Sequence, residues 1–307
     1  MRCLVTGASG FLGSSVVRHL LGHGHEVAVL LRPGGTPTRL QDCLHNVRPV
    51  YGDLSQPESI RQAIQQRPID AVLHLAWFGV TAEFRNSPQQ ISQNLVSTLA
   101  IWEAARVAGC KVWIGLGSQA EYGPCKGILR EDMFPKPVTA YGVAKLVAGL
   151  STAKMSELAG IRHVWLRLLS AYGPGDDVRH MLPSVILDLL ARRKPSLTLG
   201  EQVWDYLYLD DTAAAICAVL EQEVAGVFNL ASGTTATIRN IVEQIRDMID
   251  PSLPIGFGEV PYRDDQVMHL EADITRLTSA TSWRPEVSLE RGLSQTVEWY
   301  REKMPRE

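Results

Sequence analysis

The sequence has few of the features that mark secreted, membrane-bound or nucleic-acid-binding proteins. Its five cysteines form no C-x-x-C pair and no metal-ligand spacing, and their odd number argues against a disulfide framework. No apolar run reaches the roughly 18 residues of a membrane span, and the first predicted strand begins at Arg2, which leaves no room for a signal peptide. The formal net charge is only −3, so no basic surface is expected for nucleic acid or an anionic membrane. These absences predict a metal-free protein of the cytoplasm without nucleic-acid or membrane partners.

Alternating strand-like and helix-like runs are what the sequence does contain. With 307 residues and 45% hydrophobic content, the chain can bury a large core and is long for one simple domain. Up to about Leu169, the alternation predicts a parallel sheet covered by helices on both faces. The expected strands are Arg2–Thr6, Glu26–Leu31, Arg48–Tyr51, Ala71–Leu75, Val112–Leu116 and Val164–Leu169. The expected helices are Ser14–Gly22, Pro57–Gln66, Pro88–Ala108 and Tyr141–Ala159.

The predicted fold class is α/β, a Rossmann-like doubly wound parallel sheet with a smaller C-terminal α/β substrate lobe. Residues 1–170 are expected to form the dinucleotide-binding domain, with 201–222 returning to it. Residues 171–200 and 223–307 are expected to form the substrate lobe.

A glycine-rich turn joins the first strand to the first helix. Its glycines follow a G-x-x-G-x-x-G spacing, Gly7, Gly10 and Gly13. A helix that begins at such a turn directs unpaired N–H groups and a positive dipole end at a phosphate. The turn therefore predicts a dinucleotide site whose contacts are Gly7, Ser9, Gly10, Phe11, Leu12 and Gly13.

The end of the second strand indicates which dinucleotide would bind. A ribose-binding acid for NAD is expected roughly 20 residues past the glycines. The sequence instead has Leu31 and Arg32, and a guanidinium can pair with the 2′-phosphate of NADP. Arg32 therefore favours NADPH, with NAD as the other possibility.

Two further strand ends predict cofactor contacts. Asp53 and Leu54 follow the third strand, where they could meet the adenine. Leu75 and Ala76 end the fourth strand, where a small residue lets the cofactor backbone pass. His74, in the same apolar strand, is expected to pack in the core rather than to act in catalysis.

Ser118, Tyr141 and Lys145 are the candidate catalytic residues. Ser118 follows the fifth strand, and Tyr141 and Lys145 are spaced i, i+4 at the start of a helix, so they share one face. A neighbouring ammonium is expected to lower the pKa of the phenol, so that Tyr141 could exchange a proton with an alcohol or ketone. Lys145 could also bind the nicotinamide ribose, and Ser118 the carbonyl oxygen.

With these motifs in place, the chain resembles an extended short-chain dehydrogenase/reductase of the NAD-dependent epimerase/dehydratase family. Segments that match the family pattern continue almost to the end of the chain: Arg167–Gly175, Trp204–Asp211, Phe228–Gly233, Asp273–Thr275, Trp283–Pro285 and Leu289–Leu293. The resemblance implies a nucleotide-sugar substrate. It also implies a homodimer that pairs through the helices Pro88–Ala108 and Tyr141–Ala159.

Departures from the family pattern concern the reaction. The dehydratases of the family resemble T-D-E-V-Y-G after the fifth strand, and their paired acids remove water; here the two positions are Gln119 and Ala120. Alanine cannot move a proton, so dehydration is not expected. Glu121, one position later, is expected to face away and not to replace the missing acid.

Other departures concern the substrate. Ser170 replaces the asparagine of many epimerases, and Trp204 replaces an arginine that grips the diphosphate, which leaves Trp204 either to stack on the substrate or to pack within the lobe. Arg263 matches the second diphosphate-binding arginine of the family, and Arg179 is a further candidate. The loop that contains Thr81 is expected to shape the sugar pocket. The predicted substrate contacts are Thr81, Gln119, Ser170, Arg179, Trp204 and Arg263.

Three functions remain open from the sequence. The first is an NADPH-dependent reductase of a nucleotide-linked 4-keto-6-deoxyhexose, favoured by Arg32 and by the missing dehydratase acids. The second is a nucleotide-sugar epimerase with tightly bound NAD, which Ser118, Tyr141 and Lys145 would serve equally well. The third is a non-catalytic NADP-binding sensor, disfavoured because Tyr141 and Lys145 are both present.

Overall fold

A seven-stranded, all-parallel sheet forms the centre of the fold. The computed structural model describes residues 1–65, 68–125, 127–263 and 266–303. The strand order is β3 (Val47–Tyr51), β2 (Glu26–Leu31), β1 (Arg2–Thr6), β4 (Ala71–His74), β5 (Val112–Ser118), β6 (Arg162–Leu168) and β11 (Gly226–Leu230), with β4 in the middle. This is the predicted α/β, Rossmann-like doubly wound sheet, and the fold class is confirmed.

The sheet forms because its strands are apolar on both faces, as expected for parallel strands covered by helices. On one face, Val5 and Val29 pack against helices α1 (Phe11–Gly22) and α6 (Leu209–Glu221). On the other face, Leu4 and its neighbours pack against α2 (Pro57–Gln65) and α3 (Val96–Val107), beside α4 (Ala140–Ala159). All parallel strands end at one edge, so the loops after them meet there and can form a site.

The remaining elements have the following bounds. The strands are β7 (Ala171–Tyr172), β8 (Ser196–Leu197), β9 (Val203–Trp204), β10 (Leu207–Tyr208), β12 (Ala236–Thr237), β13 (Gly256–Phe257) and β14 (His269–Leu270). The helices are α5 (Met181–Leu190), α7 (Ile238–Ile249), α8 (Thr275–Ala280) and α9 (Leu289–Lys303).

The seventh strand corrects the division expected from the sequence. β11 lies within the stretch 223–307 assigned to the lobe, but it pairs with β6 at the edge of the central sheet, with Phe228 opposite Leu166. Phe228 and Leu230 belong to the same buried cluster as the rest of the sheet. The assignment of these residues to the lobe is therefore wrong.

The lobe has its own core. Helices α5, α7 and α9 pack together through residues such as Ile186, Ile241 and Val297. Tyr172 and Tyr208, from the short parallel pair of β7 and β10, join the same cluster and connect the lobe to the sheet domain. Within the described residues, no helix is both long and apolar enough to cross a membrane.

The helix expected over Pro88–Ala108 has two parts. Residues Gln90–Leu95 form a π-helical turn, and regular α-helix follows as α3. The side chains of Gln90 and Asn94 point inward from this turn and bind the backbone of the loop after β4. Such wide turns are frequent at functional sites.

Candidate active site

The turn between β1 and α1 is shaped by glycines that no other residue could replace without a shift. Gly7 has a φ of +72°, and a Cβ on it would lie 2.8 Å from the nitrogen of Ala76. A Cβ on Gly13 would lie 2.1 Å from the Gly7 carbonyl oxygen. Gly10 precedes α1, and no described side chain caps this helix. The first N–H groups of α1 are therefore available to a phosphate, so the residues present fit a dinucleotide.

The adenosine side of the expected site lies after β2 and β3. Arg32 is exposed just beyond β2. Two hydrogen bonds from Ser55, both 2.8 Å, hold the pKa of the Asp53 carboxyl below its ordinary value, and the positive charge of Arg32 acts in the same direction. Beside them, a cavity of about 240 Å³ is lined by Leu54, Ser55, Gln89, Ser92, Gln93, Val96 and Ser97. Leu54, one of the residues predicted to meet the adenine, thus borders a recess.

His74 has a structural role at the end of β4. It bonds Thr6 through Nδ1 (2.9 Å) and Thr98 through Nε2 (2.9 Å) and is buried. Burial, and then the charge of Lys145, lowers its pKa to about 3, so the ring is neutral. The Thr6 hydroxyl also accepts the N–H of Ala76 (3.2 Å). The histidine therefore holds the segment after β4 beside the glycine turn.

Ser118, Tyr141 and Lys145 converge at the carboxyl end of β5. The Thr139 hydroxyl caps α4 by accepting the N–H of Gly142, and the Tyr141 N–H donates to the Arg85 carbonyl (2.8 Å). Lys145 Nζ donates to the Leu116 carbonyl (2.6 Å) and lies 5.9 Å from the centre of the Tyr141 ring.

Burial dominates the electrostatics of these three side chains. It raises the pKa of Tyr141, while a hydrogen bond with the Ser118 side chain acts in the opposite direction. The lowering by the Lys145 ammonium that the sequence suggested is therefore not the net result. Burial also lowers the pKa of Lys145 to about 7, against an opposing attraction from Glu121. Lys145 consequently loses its proton much more easily than an ordinary lysine.

Glu121 is buried, and its carboxylate is held by hydrogen bonds within the protein. Its carboxylate accepts the Ser118 N–H (2.8 Å), Trp165 Nε1–H (3.0 Å) and Arg167 Nε–H (2.8 Å), and the side chain is only 1% exposed. It cannot reach a substrate in this arrangement. Gln119 and Ala120 begin the short 3-10 turn at the site and are half-buried.

Two residues that depart from the family pattern contact each other. Trp204, in β9, donates its indole N–H to the Ser170 hydroxyl (2.8 Å), so the aromatic ring lies at the junction of sheet and lobe. The sequence did not indicate this pairing, because 34 residues separate the two positions.

Arg179, Thr81 and Arg263, the other expected substrate contacts, lie in loops. Arg179 is exposed and ion-paired with Asp177 (2.6 Å) and with Glu83 of the loop after β4 (3.7 Å). The Thr81 hydroxyl donates to Glu83 in the same loop (3.4 Å). Arg263 is exposed in the connection between β13 and β14, next to residues 264–265, which lie outside the described part of the chain.

Trp77 lies beside Tyr141 and Lys145, although it was not among the site residues expected from the sequence. Its ring centre lies 3.8 Å from Lys145 Nζ, and its plane meets the Tyr141 ring edge-on at 6.2 Å between centres. The available signal was its position, three residues after His74 at the end of a sheet strand. An aromatic at that position was equally compatible with loop packing.

A dinucleotide cradle and a Ser-Tyr-Lys set at one sheet edge define an oxidoreductase-type α/β enzyme. The family profile described as "NAD dependent epimerase/dehydratase family" matches residues 3–231. The chain belongs to this family.

Individual relatives agree with this assignment. The dTDP-glucose 4,6-dehydratase 1 of Escherichia coli is 26% identical, covering 98% of this chain and 92% of its own. The UDP-glucose 4-epimerase of Thermotoga maritima, solved with UDP-glucose, has a TM-score of 0.88 at 26% identity, covering 98% of this chain and 99% of its own. The UDP-glucose 4-epimerase of Thermus thermophilus, solved with NAD, has a TM-score of 0.86 at 26% identity, covering 99% of this chain and 100% of its own.

Proposed function

We propose that the protein is a nucleotide-sugar epimerase that keeps NAD bound through its catalytic cycle. The observation that carries this proposal is the convergence of Ser118, Tyr141 and Lys145 at a position where residues 119 and 120 offer no second acid or base. Solved epimerases with TM-scores of 0.88 and 0.86 support it. The sequence placed a reductase first, and these comparisons favour its alternative.

The side chains have separate tasks in such a reaction. When bound, the nicotinamide supplies the chemistry of accepting a hydride and returning it. The Tyr141 phenol oxygen takes the proton of a sugar hydroxyl and gives it back, and the Ser118 hydroxyl hydrogen-bonds the sugar oxygen. The Lys145 ammonium stabilises the ionised phenol. Nothing is oxidised or reduced overall.

Dehydration does not fit this set of residues. It needs further proton transfer at the sugar, and neither Gln119 nor Ala120 can carry a proton. Glu121 is held by Ser118, Trp165 and Arg167. The identity to a dehydratase therefore reflects shared family features rather than a shared reaction.

The choice of NAD over NADP rests on the known relatives and on the surroundings of Arg32. The family description names NAD, and the Thermus thermophilus epimerase was solved with NAD. Arg32 favoured NADP from the sequence, but the nearby Asp53 carboxylate supplies a negative charge that partly offsets the guanidinium and would repel a 2′-phosphate.

The remaining substrate contacts belong to the same proposal. Trp204, with Ser170, would cover a sugar or base face, and Arg263 and Arg179 would meet the diphosphate. Thr81 and Gln119 would line the sugar pocket. A cytoplasmic location is part of the proposal as well.

A homodimer is proposed from the exposed faces of two neighbouring helices. On α4, Val143, Leu150 and Leu158 are 38%, 63% and 80% exposed and lie on one side of the helix. On α3, Val96 and Val107 are each 51% exposed. A second copy of the chain would cover these apolar side chains.

The deciding experiment separates epimerase from reductase. The purified protein is denatured, and released NAD, NADH, NADP and NADPH are quantified. The native protein is then incubated with UDP-, dTDP-, GDP- and CDP-sugars without added cofactor, and products are separated by chromatography. We expect bound NAD and a sugar epimer. Stoichiometric consumption of added NADPH by a nucleotide 4-keto-6-deoxy sugar, with no cofactor retained, would instead establish the reductase.

A further inference from the structure

Trp77 lies against the catalytic lysine. Lys145 Nζ is 3.8 Å from the centre of the indole ring and 2.6 Å from the Leu116 carbonyl oxygen. The distance to the ring is well within the roughly 6 Å at which an aromatic face attracts a cation. The same indole is edge-on to Tyr141 at 6.2 Å, so it contacts both members of the proton-transfer pair.

Buried amides fix the indole in this position. Trp77 Nε1 donates to Gln90 Oε1 (2.8 Å), and the Gln90 amide nitrogen donates to the Gly79 and Phe84 carbonyls (2.8 and 3.0 Å). The Asn94 amide nitrogen donates to Gln90 Oε1 (3.0 Å) and to the Phe78 carbonyl, and the Asn94 amide oxygen accepts the Phe78 N–H. Gln90 is completely buried, so this network costs free energy unless all its groups are bonded.

The π-helical turn explains how the amides reach the loop. Gln90 and Asn94 both lie within it, four residues apart, and both face the backbone of the loop after β4. The widened turn therefore places two amides behind one indole.

We propose that Trp77 is a positioning residue whose aromatic face holds the ammonium form of Lys145 beside Tyr141, with Gln90 fixing the indole. This inference rests on the catalytic role proposed for Lys145, and it adds a residue through which that lysine is kept charged.

The surroundings of Lys145 create the need for such a contact. Burial lowers its pKa to about 7, and Glu121, the carboxylate that attracts it, is already paired with Arg167. His74, on β4, is neutral, and Arg85 places a further positive charge near Tyr141. The aromatic face attracts only the protonated lysine.

The test measures the lysine directly and needs no substrate. The full-length chain is prepared with 13Cε-labelled lysine, and the Lys145 signal is assigned by its loss in Lys145→Met. Its chemical shift is followed against pH in the parent protein and in Trp77→Leu and Trp77→Phe. We expect the proton affinity of Lys145 to fall about 3- to 30-fold in Trp77→Leu, the range between an exposed and a desolvated cation–π contact, and to be largely kept in Trp77→Phe.

Two further variants separate positioning from general packing. Gln90→Met removes the acceptor of the Trp77 indole N–H and is expected to lower the proton affinity of Lys145 by less than Trp77→Leu does. It provides the test if Trp77→Leu does not fold. Phe78→Leu, in the same loop but packed on Phe84, is the matched control and should not change the titration.

An unchanged or increased proton affinity in Trp77→Leu or Gln90→Met overturns the inference, and so does an equal fall in Phe78→Leu. Because the readout is the titration of one side chain, it stands whichever reaction the protein catalyses. Failure of the proposed epimerase activity would leave the measurement unaffected.

Discussion

Lys145 is the residue at which function and stability conflict most directly. Its ordinary pKa of 10.5 is lowered to about 7 by burial. Between these two values the unfolded chain binds more protons at this position than the folded chain. The free energy of unfolding is therefore not reduced by Lys145 above about pH 10.5. It falls as the pH decreases toward 7, because the buried side chain must then carry a charge.

Replacing Lys145 by methionine should thus stabilise the fold while it removes catalysis. We expect Lys145→Met to raise the free energy of unfolding at pH 7 by on the order of 2–3 kcal/mol, with the gain shrinking toward pH 10. Urea unfolding at several pH values measures this. Lys154→Met, on the exposed side of the same helix, is the control and should show a small, pH-independent change. A destabilised Lys145→Met would contradict the prediction.

Tyr141 is expected to be required for chemistry and not for folding. Tyr141→Phe removes only the phenol oxygen, so turnover should fall about 10²- to 10⁴-fold while the melting temperature stays nearly constant. The assay is the conversion of whichever nucleotide sugar the product screen identifies. Tyr51→Phe serves as the control because Tyr51 is 57% exposed. Turnover in Tyr141→Phe equal to that of the control would remove Tyr141 from the mechanism.

Residues whose placement follows from local spacing could be predicted. Gly7 and Gly13 were identifiable because the turn geometry depends on neighbours in sequence, and Tyr141 and Lys145 because a helix brings i and i+4 together. The contacts of Trp77 with Lys145 and of Ser170 with Trp204 were not predictable, since the partners lie 68 and 34 residues apart in sequence. Burial, which reversed the expected effect on the pKa of Tyr141, likewise depends on the whole packed structure.

At the scale of elements, the close approach of β5 and α4 brings the proposed catalytic residues together. Trp165, in β6, lies across this contact. A Cβ on Gly115 of β5 would lie 2.3 Å from its ring, and one on Gly149 of α4 would lie 2.7 Å from it. The absence of side chains at both positions lets the indole fill the gap beneath Ser118 and Lys145.

Gly115→Ala is therefore expected to destabilise the protein by about 1–3 kcal/mol, because the added methyl overpacks this contact. The effect should appear as a lower midpoint in urea unfolding. Gly22→Ala, at the end of α1 where a Cβ would meet nothing within 4 Å, should be neutral or slightly stabilising. Equal midpoints for the two variants would show that Trp165 moves aside without cost.

Regular elements were predictable and the irregular one was not. The strands Arg2–Thr6 and Glu26–Leu31 have the predicted bounds because their apolar runs end at glycines or polar residues. The π-helical turn at Gln90–Leu95 was expected to be ordinary helix. Its wider winding lets the side chains of Gln90 and Asn94 bond the backbone of the loop that precedes it, 6 to 16 residues earlier. The apolar periodicity of the sequence does not reveal such side-chain bonds.

For the whole molecule, the proposed dimer makes a distinct prediction. Leu150→Arg places a charge at the centre of the exposed α4 face and should convert a dimer into a monomer with little loss of stability in the subunit. Analytical ultracentrifugation measures the mass of each form. Leu199→Arg, which changes a 47% exposed leucine of the lobe, should remain a dimer. Two variants with the same mass would place the interface elsewhere or exclude it.

The overall architecture was predictable up to the sixth strand. The stretch to Leu169 alternates simply, but the chain then enters the lobe before it returns. A strand that follows lobe residues in sequence has no adjacent sheet strand to indicate which sheet it joins. For this reason β11 was assigned to the lobe and not to the central sheet. The pairing of Val164 with Gly226 joins residues that are 62 positions apart in sequence.

That late return has a consequence during protein synthesis. At about 5–20 residues per second, the ribosome needs roughly 3–12 seconds to make the chain between the two paired strands. During this interval, β6 has an open edge on the nascent chain, with Leu166 and Leu168 not yet covered by their partners. Exposed edges of this kind pair readily with other strands, so the nascent chain is prone to association until β11 has been made.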